Sequence, residues 1–148
     1  MINFKLVTPE RILFEKEVDS ITLPTEAGEI TVLSHHLPLI SNLVAGEVRY
    51  KIGSVEETFA VSSGVIEVGP NNQIAVLADT AEFGHEIDAD RAQEARERAK
   101  KLMQESYKDE KVSAAAAASL EKHLARLKVV RKHRTHSNKN LNSENINK

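Results

Sequence analysis

Phe83-Gly84-His85-Glu86-Ile87-Asp88-Ala89-Asp90-Arg91-Ala92 divides this chain into two kinds of sequence. Before it, apolar residues alternate with polar ones, the period of a half-buried strand. After it they recur at three- and four-residue steps, the period of a helix face. The charge changes sign at the same place. Residues 1–87 carry 5 Lys and Arg against 13 Asp and Glu, a net of −8, and residues 88–148 carry 15 against 9, a net of +6. The overall net charge of −2 hides this split. An acidic β-body joined to a basic, Ala-rich helical segment points to a docking body with a movable arm, not to an enzyme built round one cleft.

Working back from the joint, Gln73 to Ala78 and Gly64 to Val68 flank the turn Gly69-Pro70-Asn71-Asn72 and read as a hairpin. Val55 to Val61 pairs in the same way with Glu47 to Ile52 across Gly53-Ser54. Earlier runs are Leu39–Val44, Glu29–Leu33, Ser20–Leu23, Ile12–Val18 and Phe4–Val7, broken by Pro38, Gly28 and Thr8-Pro9. Strands about ten residues apart, with no helical stretch between them, predict an antiparallel β-sandwich or barrel over residues 1–84.

Working forward, Asp88 caps a helix opening at Ala89, with Ala92, Ala95, Ala99, Leu102 and Met103 on one face. Ser106 to Val112 is polar and irregular, and Ser113 is placed to cap a second helix with the stripe Ala117, Leu120, Leu124, Leu127. Residues 87–134 are therefore expected to form an antiparallel two-helix hairpin, and the Asn-rich stretch 135–148 a disordered tail. An Ala-rich seam buries little area, so the hairpin is of marginal stability and suited to two arm conformations.

The chemistry is sparse. The chain has no cysteine, which excludes disulfides, thiolate metal sites and a Cys nucleophile. No phosphate-binding loop, nucleophile elbow or zinc-protease helix occurs, so no catalytic or metal site is assigned. No apolar run approaches the roughly 18–20 residues that span a bilayer, and Met1-Ile2-Asn3-Phe4 reads directly as strand, not as a signal peptide. His35-His36 on extended backbone would point to opposite sides, which disfavours chelation. The second helix sets Lys122, Arg126, Lys128, Arg131, Lys132 and Arg134 against Glu121 alone. Without interleaved aromatics, and next to an acidic domain, these residues suit a protein surface better than nucleic acid. Asp88 and Arg91 stand at i, i+3. Taken alone they read as a cap and a local ion pair, while Arg91 with Arg98 two turns on could hold a small anion.

Together the pieces resemble the epsilon subunits of bacterial and chloroplast F-type ATP synthases. The resemblance rests on Val7-Thr8-Pro9-Glu10, on Ala27-Gly28-Glu29-Ile30-Thr31-Val32-Leu33-Ser34-His35-His36-Leu37-Pro38-Leu39, and on Ser63-Gly64-Val65-Ile66-Glu67-Val68. It continues through Val76 to Glu82, Ile87 to Ala92, and Ala118 to Val130, and so covers residues 3 to about 131 in order. Thr31, Ser34 and Leu37 depart from the family pattern, and Ser63 stands for a Gly. The resemblance implies a ten-stranded sandwich followed by two helices, and a non-catalytic place in the central rotor stalk. The implied partners are the gamma subunit, the membrane ring of c subunits and, in an inhibited state, the alpha/beta catalytic head. It implies a peripheral location on the cytoplasmic face of the cell membrane, reached only through the c ring. It also implies c-ring contacts at Glu29, His36 and Pro38, and an inhibitory arm using Lys122, Arg126, Arg131 and Lys132. A regulatory ATP at Ile87, Asp88, Arg91, Ala92 and Arg98 is the one cofactor it suggests. The competing reading is a β-sandwich adaptor with a basic helical arm for some other protein complex.

Overall fold

The computed structural model describes residues 1–105 and 109–144, with side chains through Lys132. Ten strands come first: β1 Ile2–Val7, β2 Ile12–Val18, β3 Ser20–Thr25, β4 Gly28–Leu33, β5 Leu39–Leu43, β6 Gly46–Ile52, β7 Val55–Val61, β8 Gly64–Val68, β9 Gln73–Ala78 and β10 Ala81–Phe83. A 3-10 turn, Gly84–Glu86, leads into α1 Ala89–Glu105 and α2 Glu110–Glu144. Each expected strand is present, and β10 adds a short one after Asp79.

The strands run in the order β10-β7-β6-β3-β5-β8-β9-β1-β2, with β4 paired to β3. This one sheet folds over into a sandwich. All neighbours are antiparallel except β1 with β9, which pair in parallel from Asn3↔Gln73 to Val7↔Leu77. That exception closes the first strand of the domain against a late one.

Strand alternation fills the space between the two halves. Phe4, Phe14, Tyr50 and Phe59 meet with ring centroids 4.7–6.3 Å apart, surrounded by Leu6, Ile21, Leu23, Val48, Ile66 and Val76. Phe83 of β10 adds a ring 4.7 Å from Phe59. The continuous core is made of β-domain residues alone. Gly64 is obligatory, because a Cβ there would collide with the backbone carbonyl of Leu77.

The helices lie antiparallel. Ala89 and Gln93 face Leu124, Leu127 and Val130, and Ala99 and Leu102 face Ala115 and Ala116. Three details differ from the sequence-based expectation. Asp109, not Ser113, caps α2: its Oδ1 accepts from the N–H groups of Lys111 (3.1 Å) and Val112 (3.3 Å). The carboxylate offers a stronger acceptor one turn earlier, and Ser113 falls inside the helix. The buried face of α2 is Ala116, Ala125 and Val129, while Leu124 of the expected stripe is 43% exposed. The helix packs on the sheet as well as on α1, so its buried face is turned toward both. Finally, backbone helix continues to Glu144, where a disordered tail is expected from residue 135. Each added residue extends a helix already nucleated, which costs less than starting one. The rest of that tail, residues 145–148, and residues 106–108 of the expected connection lie outside the described residues.

Candidate functional site: the seat of the helical arm

Alternation along β6 turns Val48 and Tyr50 inward and Glu47 and Arg49 outward. Cross-strand pairing extends this outer face in both directions. Arg49 stands between Thr58 of β7 and Thr22 of β3, and Thr22 stands beside Thr31 of β4. Ala60 of β7 stands between Glu47 and Glu82 of β10. Glu29, two residues before Thr31, adds a third carboxylate to this face, and Glu56 of β7, opposite Lys51, stands at its end. α2 lies across it.

The contacts are specific. Lys132 Nζ donates to Glu47 Oε1 at 3.1 Å. Arg126 Nε lies 2.6 Å from Glu82 Oε2 and its Nη1 is 3.1 Å from His123 Nδ1. Arg49 forks onto Glu29 at 2.8 and 3.1 Å. The Glu47 side chain is 0% exposed, and its Oε2 lies 3.9 Å from Arg49 Nη1. Between these pairs sit Val129, Ala125 and Ala60, all buried. The hydrogen bonds from Arg49, then its charge with those of Lys128 and Lys132, hold the Glu29 carboxyl below its ordinary range. Burial, then the charges of Arg126 and Lys122, push His123 down.

The hairpin start is ordered by Asp88. Its Oδ1 accepts from the N–H groups of Asp90 (3.0 Å) and Arg91 (3.2 Å), so it meets the backbone of Arg91, a cap and not a side-chain ion pair. Ile87 is half-buried, Ala92 is buried against the hairpin, and Arg91 is exposed. Arg98 lines a cleft of about 370 Å³ with Ala95, Ala99, Ser119 and His123. Lys122 reaches a separate cleft beside Ser62, Asp79 and Thr80. Arg131 borders the groove of Ala89, Gln93 and Leu124.

Of the expected c-ring residues, His36 and Pro38 are exposed on the β4–β5 loop. His35 there adopts φ 66°, a left-handed conformation, and its N–H is held by Asn72 Oδ1 at 2.6 Å. Met1 N donates to Ser34 Oγ at 3.0 Å, tying the same loop to β1. Glu29 is not with them. It sits at the far end of β4 beside Arg49, because a six-residue strand separates the two turns by about 17 Å. The structure therefore places Glu29 beside the arm seat, apart from His36 and Pro38. Glu47, Glu82, Arg49 and His123 belong to the seat and are absent from the sequence-based set. Their signal is faint: charged residues at outward strand positions look like ordinary solvated surface until a helix covers them.

The other outer face carries exposed apolar side chains. One cross-strand rung joins Val65 of β8, Leu77 of β9, Val7 of β1 and Ile12 of β2. Val65, Leu77 and Ile12 are 42%, 50% and 52% exposed. The next rung is polar, with Glu67, Ala75, Lys5 and Glu15. Among the described residues no group of three or more His, Asp or Glu could hold a metal ion, and no helix is long and apolar enough to cross a membrane.

The chain is thus a two-part protein, a β-sandwich body that carries a basic two-helix arm on one outer face and an exposed apolar rung on the other. The comparisons with known proteins make this specific. Residues 1–84 match the model of the ATP synthase delta/epsilon chain β-sandwich domain, and residues 85–131 that of its long α-helix domain. A protein of Dehalococcoides mccartyi named ATP synthase epsilon chain is 43% identical over 135 residues, 91% of this chain and 96% of that one. One of the same name from Syntrophobacter fumaroxidans is 42% identical over 131 residues, 88% and 96% of the two chains. A chain in the cryo-EM structure of the Euglena gracilis mitochondrial ATP synthase, comprising OSCP, F1 and c-ring, superposes with a TM-score of 0.74. It is 25% identical, over 84% of this chain and 78% of that one. This chain belongs to the ATP synthase delta/epsilon family.

Proposed function

We propose that the chain is a non-catalytic rotor subunit of a proton-translocating F-type ATP synthase, whose α2 inhibits ATP hydrolysis when it leaves its seat. The observation that carries this reading is the seat itself. A basic helix rests on an acidic sheet face through ion pairs and a few small apolar side chains, a contact weak enough to be exchanged for another acidic surface. The body stays attached meanwhile, since its core contains no helix residue.

In this reading the bare rung Val65, Leu77, Val7 and Ile12 docks on the gamma subunit, and the loop carrying His36 and Pro38 meets the c ring. The chain is then peripheral on the cytoplasmic face of the membrane. A regulatory ATP would bind the closed hairpin. Arg91 and Arg98 lie two turns, about 10 Å, apart on α1, and Arg98, Lys122 and Arg126 all act on His123. Ile87, Asp88 and Ala92 order the adjoining helix start. A ligand held only by the closed form stabilises it by mass action.

ATP hydrolysis by the catalytic complex is the test. A chain ending at Glu86 should assemble normally and raise hydrolysis above that of the complex with the full chain. Arg126, Arg131 and Lys132 replaced together by Ala should move it the same way. Equal hydrolysis at equal subunit content would defeat the inhibitory role. Calorimetry with ATP on the isolated chain, repeated with Arg91→Ala, tests the nucleotide site.

A further inference from the structure

Glu47 is the only charged side chain among the fully buried large ones of the described residues. Strand parity does not explain this. Glu47 points outward from β6, on the same face as Arg49, and there a carboxylate would ordinarily be hydrated. α2 covers it. One oxygen meets Lys132 at 3.1 Å. The other lies 3.9 Å from Arg49 and has no hydrogen bond. Thr58 Oγ1, on the same outer face, is also buried without a hydrogen-bond partner.

We propose that the Glu47–Lys132 pair is a releasable latch that makes docking of α2 conditional on charge. A buried ion pair adds little net stability over apolar residues of the same shape, because desolvation offsets the attraction. Removing Lys132, however, leaves the buried Glu47 carboxylate with only Arg49, 3.9 Å away and already forked onto Glu29. The docked state is therefore not deepened by the pair but made dependent on both members. The second pair, Arg126 with Glu82, acts in the same sense at the other edge of the seat. Undocking exposes Glu47 to water, which hydrates it, and frees Lys132 to meet another carboxylate surface. The arm cannot hold both surfaces with the same cations, so an acidic partner competes directly with Glu47 and Glu82. This regulatory consequence rests on the inhibitory reading above; the latch itself does not.

The chain has no cysteine, so two can be introduced for spin labels, at Ser54 in the β6–β7 turn and Glu121 on α2, both exposed. Distances are then measured by pulsed electron resonance on the full chain. The labelled background should give one narrow distance that broadens in high salt. Lys132→Met keeps the side-chain stem and should raise the undocked fraction about tenfold, since partial exposure of Lys132 lets water screen the pair. Glu47→Leu combined with Lys132→Met should restore the docked distance and remove much of its salt dependence. The thermal transition of the β-domain should be unchanged by Lys132→Met, which separates undocking from unfolding. A docked distance retained in Lys132→Met would overturn the latch, as would a double variant as open as the single one. ATP hydrolysis by complexes carrying the same variants is read separately. Distances that behave as stated with unchanged hydrolysis would refute the inhibitory reading and leave the latch standing.

Discussion

The two outer faces of the sandwich are built from the same strand alternation and serve opposite ends. On the β6–β7 side the outward residues include Glu47, Arg49, Thr58, Ala60 and Glu82, and the chain lays its own helix across them. On the β8–β9–β1–β2 side they include Val65, Leu77, Val7 and Ile12, and no described helix covers this rung, in which Val65, Leu77 and Ile12 are exposed. Apolar side chains give an attachment that water does not replace once it is formed. Paired charges over small residues give one that can be exchanged, because released ions are hydrated. In the proposed function, where the body stays attached while the arm moves, each kind of surface has its own use.

The comparison breaks most severely at the apolar rung. Val65→Asp with Leu77→Asp should cost the isolated chain little stability, about 0.5 kcal/mol each, since both residues are already about half exposed. Co-purification with the ATP synthase complex should nevertheless fall at least tenfold. Intact assembly would show that the bare face is not the attachment surface.

Where the arm meets the covered face the largest effect is expected at Val129 of α2, which is 0% exposed. Val129→Asp buries an unpaired carboxylate and should undock α2 at a cost of about 3 kcal/mol. Limited proteolysis should then cut within residues 85–131, while the β-domain stays intact. Loss of the β-domain transition as well would mean that the two faces are not energetically separate. Asp88→Ala removes the α1 cap and should cost about 1 kcal/mol, seen as faster amide exchange in the first turn of α1 alone.

The smallest effect is electrostatic. His123 has a depressed pKa in the folded chain, surrounded by Arg98 of α1, Lys122 and Arg126 of α2 and Glu82 of β10. Its contribution to hairpin stability is present above the ordinary His value of 6.5 and is lost as pH falls below it. Hairpin stability should therefore decline modestly as pH falls below 6.5, and His123→Gln should flatten that slope. An unchanged slope would assign the pH response to other groups.

Most of the fold was legible because it depends on local rules. Period-two runs, Gly53-Ser54 between two of them, and Asp88 ahead of an Ala-rich period of 3.6 each declare their own element. The hairpin partners follow from short connections. The parallel pairing of β1 with β9 and the start of α2 at Asp109 were less legible. The first joins residues about 70 apart, and the second turned on a choice between two capping side chains within one polar segment.

The sequence by itself determined two domains, their charges, the strand and helix content, and the ordered motifs that define the family. It also determined that Arg126 and Lys132 belong to a basic helix that suits an acidic surface. Only the tertiary structure decided which surface that is. Glu47, Glu82 and Glu29 come from β6, β10 and β4, and they share a face because β10, β7, β6, β3 and β4 are neighbours in the sheet. The same folding separated Glu29 from His36 and aligned Val65, Leu77, Val7 and Ile12 in one rung. Alternation tells each strand which residues face outward, but the sheet order alone tells which outward residues meet.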